Sequence, residues 1–312
     1  MANNGSISWY DPDSAKITNY IFSLINNRPA GDVVQSIALA GNYGVIVANN
    51  SGKIEIVDLE TFASTGTITD LSYPRYFVYA KNGRGYVSNG NFQGEVYEVD
   101  LASSAIIDTI TVGTGPEQMI IFNGNLYVTN SGGWDYDNTI SVINTNTNKI
   151  IETITVGDIP MALVADLNND IWVLCGGKVV YNETWTEIIK ETESRLVKIN
   201  TESLSITKDI IIGQKGDYFN PTWLTISPDG STLFFGEADG LYSMSIDDTE
   251  QPPAPLIKKN FSAVGIHPES GMLFALEITD YTTPGFLHIY EGSSLVYSIE
   301  TGIAPGNIVF AD

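Results

Sequence analysis

The stretch from Gly115 to Pro160 reads GPEQMIIFNGNLYVTNSGGWDYDNTISVINTNTNKIIETITVGDIP. A Pro-led apolar run comes first, then a turn, a tyrosine-bearing strand, a polar loop, an alternating strand, an Asn/Asp turn and a last alternating strand. At Pro160 the same phrase begins again. A unit of about 40 to 45 residues with four short strands is the signature of a propeller blade. Alternation such as Thr139-Ile140-Ser141-Val142 puts successive side chains on opposite sheet faces, and long helical periodicity is absent.

Two markers count the units. Prolines precede the innermost strands at Pro74, Pro116, Pro160, Pro221 and Pro305, at spacings of 42, 44, 61 and 84 residues. The last spacing is a double one whose middle proline is replaced at Phe261–Ser262. The spacing of 61 is one unit plus an insertion of about 19 residues. Acidic or amide residues mark the turn between the two outer strands at Asp11, Asp58, Asp100, Asn144, Asn200, Asp247 and Glu291. Such side chains bond the backbone ahead of them and tolerate unusual dihedrals. Inner strands number seven, from Ser36–Leu39 to Asn307–Phe310, but second strands only six. The expectation is an all-β, seven-bladed β-propeller forming a single domain over residues 1–312. Its closing blade is composite, made of the C-terminal inner strand and the N-terminal outer hairpin, and lacks one strand.

The net charge of −22, from 37 acidic and 15 basic residues, repels phosphate backbones and anionic lipid, which argues against nucleic-acid and membrane-surface binding. No apolar run approaches the ~18 residues of a membrane span. The single cysteine, Cys175, ends the apolar strand IWVLC and reads as a buried small residue. No signal peptide opens the sequence.

The phrases LYVTN and NTISVINTNTNKIIETITVGDIP resemble the YVTN/YncE-type propeller repeat. The order GDVVQSIAL, YPRYFVY, GPEQMIIFNGNLYVTN and IAPGNIVF is similar to the Bacteroidetes "surface layer protein" propellers of the DUF5074 type, over essentially the whole chain. In such proteins a segment like NNGSISWYDP follows a second-strand segment, itself preceded by an export signal. The resemblance therefore implies that Met1 is internal to a longer protein. It also implies that the native protein is at the cell surface or in the periplasm, lipid-anchored if its true N-terminus lies upstream.

In a propeller, loops entering the inner strands share one face with loops joining second to third strands. From these loops the candidate ligand-binding residues are Gln35, Arg75, Tyr76, Gln118, Trp134, Tyr136, Tyr181, Trp185, Trp223, Tyr281 and Asn307, with Tyr181 and Trp185 on the insertion at 176–194. Exposed aromatics on loops of a rigid scaffold give large contact area at low entropic cost; the competing role is to plug the funnel or pack beneath the long loop. His267 falls in the turn HPESG and His288 in the third-strand pattern FLHIY, which leaves no histidine for general acid–base catalysis and no Ser/His/Asp constellation. Asp135, Asp137 and Asn138 offer closely spaced oxygens that calcium could use, without the ordered ligand set of an EF-hand; no other cofactor is expected.

The resulting reading is an exported, non-enzymatic binding protein, with a small molecule or protein on its funnel face. Some relatives capture cobalamin and pass it to an outer-membrane transporter, so the resemblance implies cobalamin-like nutrient capture. A protein–protein or surface-layer interaction module is the alternative, and a lactonase- or lyase-like enzyme the third. A closed aromatic pocket would favour the first, a broad open patch the second, and carboxylates converging on calcium the third.

Overall fold

Second strands of the repeat are apolar over most of their length because both of their faces are covered. Gly44–Ala48, Leu126–Asn130 and Ile171–Cys175 are buried at every position. The outermost strands behave oppositely: in Lys149–Thr155 only Ile154 is buried. This gradient of burial along each repeat builds an antiparallel four-stranded meander, the blade. In the computed structural model, which describes residues 4–216 and 221–311, the chain divides into two compact units.

The first unit comprises Met1–Gly90, Glu95–Ile110 and Ser262–Asp312. Its blades are built on the inner strands Val34–Ala40, Pro74–Lys81 and Ala263–Ile266, each the first of four strands in sequence order. Apolar faces of the first two blades meet through Val45, Ile54, Phe77 and Val99. Buried Glu55 takes both Arg28 (2.7 Å) and Lys53 (2.5 Å). The second unit comprises Asn91–Gly94 and Thr111–Phe261. Its blades start at Pro116–Phe122, Pro160–Ala165 and Leu224–Ile226. Two clusters centred on Trp172 and Phe235, and on Tyr127 and Val173, form its core. Cys175 is buried in the second of these, and burial pushes its thiol up to about 12.

Prolines 74, 116 and 160 each open an inner strand, and in each case the register shifts just after it. A proline has no N–H to give the ladder, so the first strand position beside a bulge suits it. The outer-turn marker is equally physical. Asp58 accepts from the backbone and hydroxyl of Thr61, Asp100 from those of Ser103, and Asn200 from those of Ser203.

The count of seven blades is corrected to six. The described residues form six blade sheets, and at the expected seventh only the two-stranded hairpin Trp9–Asp11 with Lys16–Thr18. Residues 305–311 form no strand. Strands in a ladder must lie about 4.8 Å apart, and no strand among the described residues stands between Asn307–Phe310 and the hairpin. The segment therefore packs by side chains: Phe310 lies edge-on to Phe274 at 5.3 Å and to His267 at 5.2 Å. The hairpin reaches the same cluster through Tyr10, whose ring meets Phe274 edge-on at 6.1 Å, and is tied further by the Tyr297 hydroxyl on the Ala15 carbonyl (3.1 Å). Met1 lies outside the described residues. A second departure is the blade at Leu224–Ile226, which has three strands. Its fourth would run through Pro252, Pro253 and Pro255, which cannot donate, and only a single bridge, Leu241 to Ile257, forms.

Candidate functional site

Three loops of the second unit carry exposed aromatic side chains, and two of them are joined by backbone hydrogen bonds through the turn before Pro116. The turn at Asn91–Gly94 presents Phe92, and its Asn91 carbonyl accepts from Gly115 N (3.1 Å). Gly115 has φ +59, and a Cβ there would sit 1.9 Å from Gly133 N. Only glycine lets the turn before Pro116 and the loop at 131–138 come that close. Gly132 N to Thr114 O and Ser131 N to Gly115 O (both 2.9 Å) complete the seam. On this base stand Trp134, 75% exposed, and Tyr136.

The insertion at 176–194 folds as a hairpin of Val179–Tyr181 with Ile188–Glu191. Asp158 anchors its base, one carboxylate oxygen on Lys178 Nζ and the other accepting from the Thr192 hydroxyl, both at 2.9 Å. The Tyr136 hydroxyl donates to the Val179 carbonyl at 2.8 Å, and Lys178 Nζ lies 5.5 Å from the Tyr136 ring centre. At the hairpin tip Asn182 Oδ1 accepts from Thr186 N (2.9 Å). Trp185 sits there with φ +58 and 78% exposed. Tyr181 stacks on it, ring centres 5.6 Å apart and planes inclined by 27°. A bulky residue in the left-handed region is strained, and such strain collects at contact sites.

Of the expected residues, Tyr136 is joined to the hairpin that carries Tyr181 and Trp185, and Trp134 stands two positions before it on the same loop. Gln118 lies half-buried on its inner strand, its carbonyl accepting from Thr129. Trp223 is only 8% exposed; its indole N–H donates to the Phe261 carbonyl at 2.9 Å and its ring covers Gly236. That gives Trp223 a packing role. In the first unit, Arg75 donates to Gln35 Oε1 at 2.6 Å. Asn307 Oδ1 accepts from Ile37 N at 3.1 Å, which sets these three residues beside adjacent inner strands. Tyr76 is half-buried, its N–H on Ser88 Oγ. Tyr281, 81% exposed, is on a separate loop whose turn is held by Asp280.

Asp137 works as a loop organiser. Its carboxylate accepts from the Thr114 and Asn138 backbone N–H groups and from the Thr139 hydroxyl. Sequence reasoning missed Lys178 and Asp158, which are 20 residues apart. A lysine just after the Gly176–Gly177 pair was the available signal, but its partner becomes visible only once the hairpin folds back.

A family profile described as "Domain of unknown function (DUF5074)" matches residues 1–283. No curated protein matches the sequence. Among solved structures, the chain is similar to a quinonprotein alcohol dehydrogenase-like protein from Bacteroides thetaiotaomicron VPI-5482. That match has a TM-score of 0.70 and 13% identity, over 96% of this chain and 74% of the other. It is similar to hydrazine synthase from Kuenenia stuttgartiensis, with a TM-score of 0.64 and 15% identity over 88% of each chain. U3-55K matches with a TM-score of 0.64 and 12% identity, over 86% of this chain and 83% of the other. At such identities these likenesses show the fold, a β-propeller, and nothing of the activity.

Proposed function

This chain belongs to the DUF5074 family, a domain described without an activity, and we propose that it works as a binding protein whose contact surface is the aromatic platform of the second unit. One observation carries the reading. Trp185 is held out to solvent in a strained conformation, stacked on Tyr181, by a hairpin whose base is pinned through Asp158 and Tyr136. A tryptophan with no contact to make would be better placed inside, and a solvent-facing turn position with φ > 0 would better suit glycine. The ligand suited to Trp134, Tyr136, Tyr181 and Trp185 has a broad apolar face, with polar edges for the amides and hydroxyls around them. Cobalamin, which the resemblance implies, has that character. Export to the cell surface or periplasm, and handover to an outer-membrane transporter, belong to the same reading.

The openness of Trp134 and Trp185 favours a second occupant, a protein partner, since exposed Trp and Tyr are the residues that become hot spots of protein interfaces. Calorimetric titration with cobalamin separates the two. Heat at one-to-one stoichiometry that is lost in Trp185→Ala supports ligand capture. Absence of heat removes it and leaves the protein partner.

A further inference from the structure

In the last blade, three chemically distinct side chains line up across three neighbouring strands. His288, on Pro284–Glu291, pairs directly with Ser298 on Ser294–Ile303 and with Ala275 on Leu273–Glu277. Glu277 lies two positions beyond Ala275 and so projects from the same face. The side chains connect: His288 Nδ1 is 2.6 Å from Ser298 Oγ, and His288 Nε2 is 2.6 Å from Glu277 Oε2. His288 is 7% exposed and flanked by Phe286 and Tyr290, whereas Ser298 is open to solvent. Cross-strand register, invisible in a linear reading, thus places a serine, a histidine and a carboxylate side by side.

A carboxylate has no proton to donate, so its bond to Nε2 fixes the hydrogen on that nitrogen. When the ring is neutral, Nδ1 is then the acceptor that faces the Ser298 hydroxyl. That is the arrangement of nucleophile, base and orienting acid that activates a serine, and it is defined by roles rather than by sequence order.

We infer that Ser298 is an activated nucleophile, with His288 as its base and Glu277 as the positioning residue, acting on small carboxylic esters that reach the exposed outer strand. In the step, Ser298 Oγ bonds to the ester carbonyl carbon while its proton passes to His288 Nδ1. The ester C–O bond breaks, and the departing alkoxide takes that proton to leave as an alcohol. Water then attacks the acyl-serine, gives its proton to Nδ1, and the acid is released as Ser298 regains its hydrogen. The cluster belongs to the first unit.

The test uses the full chain and a fluorophosphonate, which bonds through phosphorus to an activated serine with loss of fluoride. Peptide mapping should find the adduct on Ser298 about a hundredfold faster than on Ser293 or Ser294 of the same hairpin, the size of a general-base effect. His288→Ala should remove that preference. Glu277→Ala should slow labelling, and Glu277→Gln, whose amide oxygen still accepts from Nε2–H, should restore part of the rate. If His288→Ala fails to fold, the wild-type preference stands as evidence by itself, together with the imidazole ¹⁵N signals. The chain has two histidines, so His288 is assignable, and it should show a protonated Nε2 and a bare Nδ1. Equal labelling of the three serines, or a proton on Nδ1, would overturn the proposal.

Discussion

Trp185 and Trp223 show how two residues of one type take opposite jobs. Trp185 stands on a hairpin tip at φ +58. Its removal takes away contact area and a stacking partner for Tyr181, but no core. Trp185→Ala should therefore leave the melting temperature within a degree or two while weakening ligand binding at least tenfold, as loss of a central aromatic anchor does. Trp223 is buried over Gly236 with its N–H satisfied. Trp223→Ala should cost about 3–5 kcal/mol of stability, the range for deleting a large buried aromatic, read as a lowered denaturant midpoint. Both tryptophans fall in loops or strand entries of the repeat, so the sequence nominates both for the same face. Only packing separates them, because the residue beneath Trp223 is a glycine that leaves room for an indole.

Within elements, the repeat was legible wherever its chemistry is local. Asx turns are formed between residues three apart, as at Asp58 and Thr61, and a proline opening a strand needs only its own missing N–H. What escaped were features set by partners far along the chain. Asp158 is 34 residues from Thr192, yet it fastens the whole Val179–Glu191 hairpin. His288, Ser298 and Glu277 are brought together only by the register of three strands. Asp158→Ala should release the hairpin base, removing both the Lys178 ion pair and the Thr192 bond. Amide exchange of residues 179–191 should then quicken at least tenfold, while the strands of the same blade keep their protection. Uniform loss of protection across the blade would show that Asp158 supports the sheet instead.

For the whole molecule, a short repeat fixed the all-β class but miscounted the blades. Strand-like text at Asn307–Phe310 predicts a strand only if a neighbour can complete the ladder, and pairing is a property of the folded chain. The charge of −22 does similar global work. Several carboxylates are held low by hydrogen bonds: Asp58 by Thr61, Asp100 by Ser103, and Asp280 down to about 2 by Thr282 and Thr283. At Glu55, burial raises the pKa, but bonds from Arg28, Lys53 and Thr67 outweigh it and leave the group low. A carboxyl whose pKa falls on folding stabilises the fold above its unfolded value, and that contribution disappears as pH drops through the folded value. The melting temperature should accordingly fall between about pH 4 and pH 2, and Asp280→Asn should flatten part of the slope; a level profile over that range would contradict the assignment. None of this bears on the proposed binding, which we assign to the platform of Trp134, Tyr136, Tyr181 and Trp185. Its most direct test is calorimetric titration of cobalamin into the wild-type chain and into Trp185→Ala. The account predicts one-to-one heat in the first and at least tenfold weaker binding in the second. No heat in the wild type would contradict small-molecule capture, and equal heat in both would contradict the platform as the contact surface.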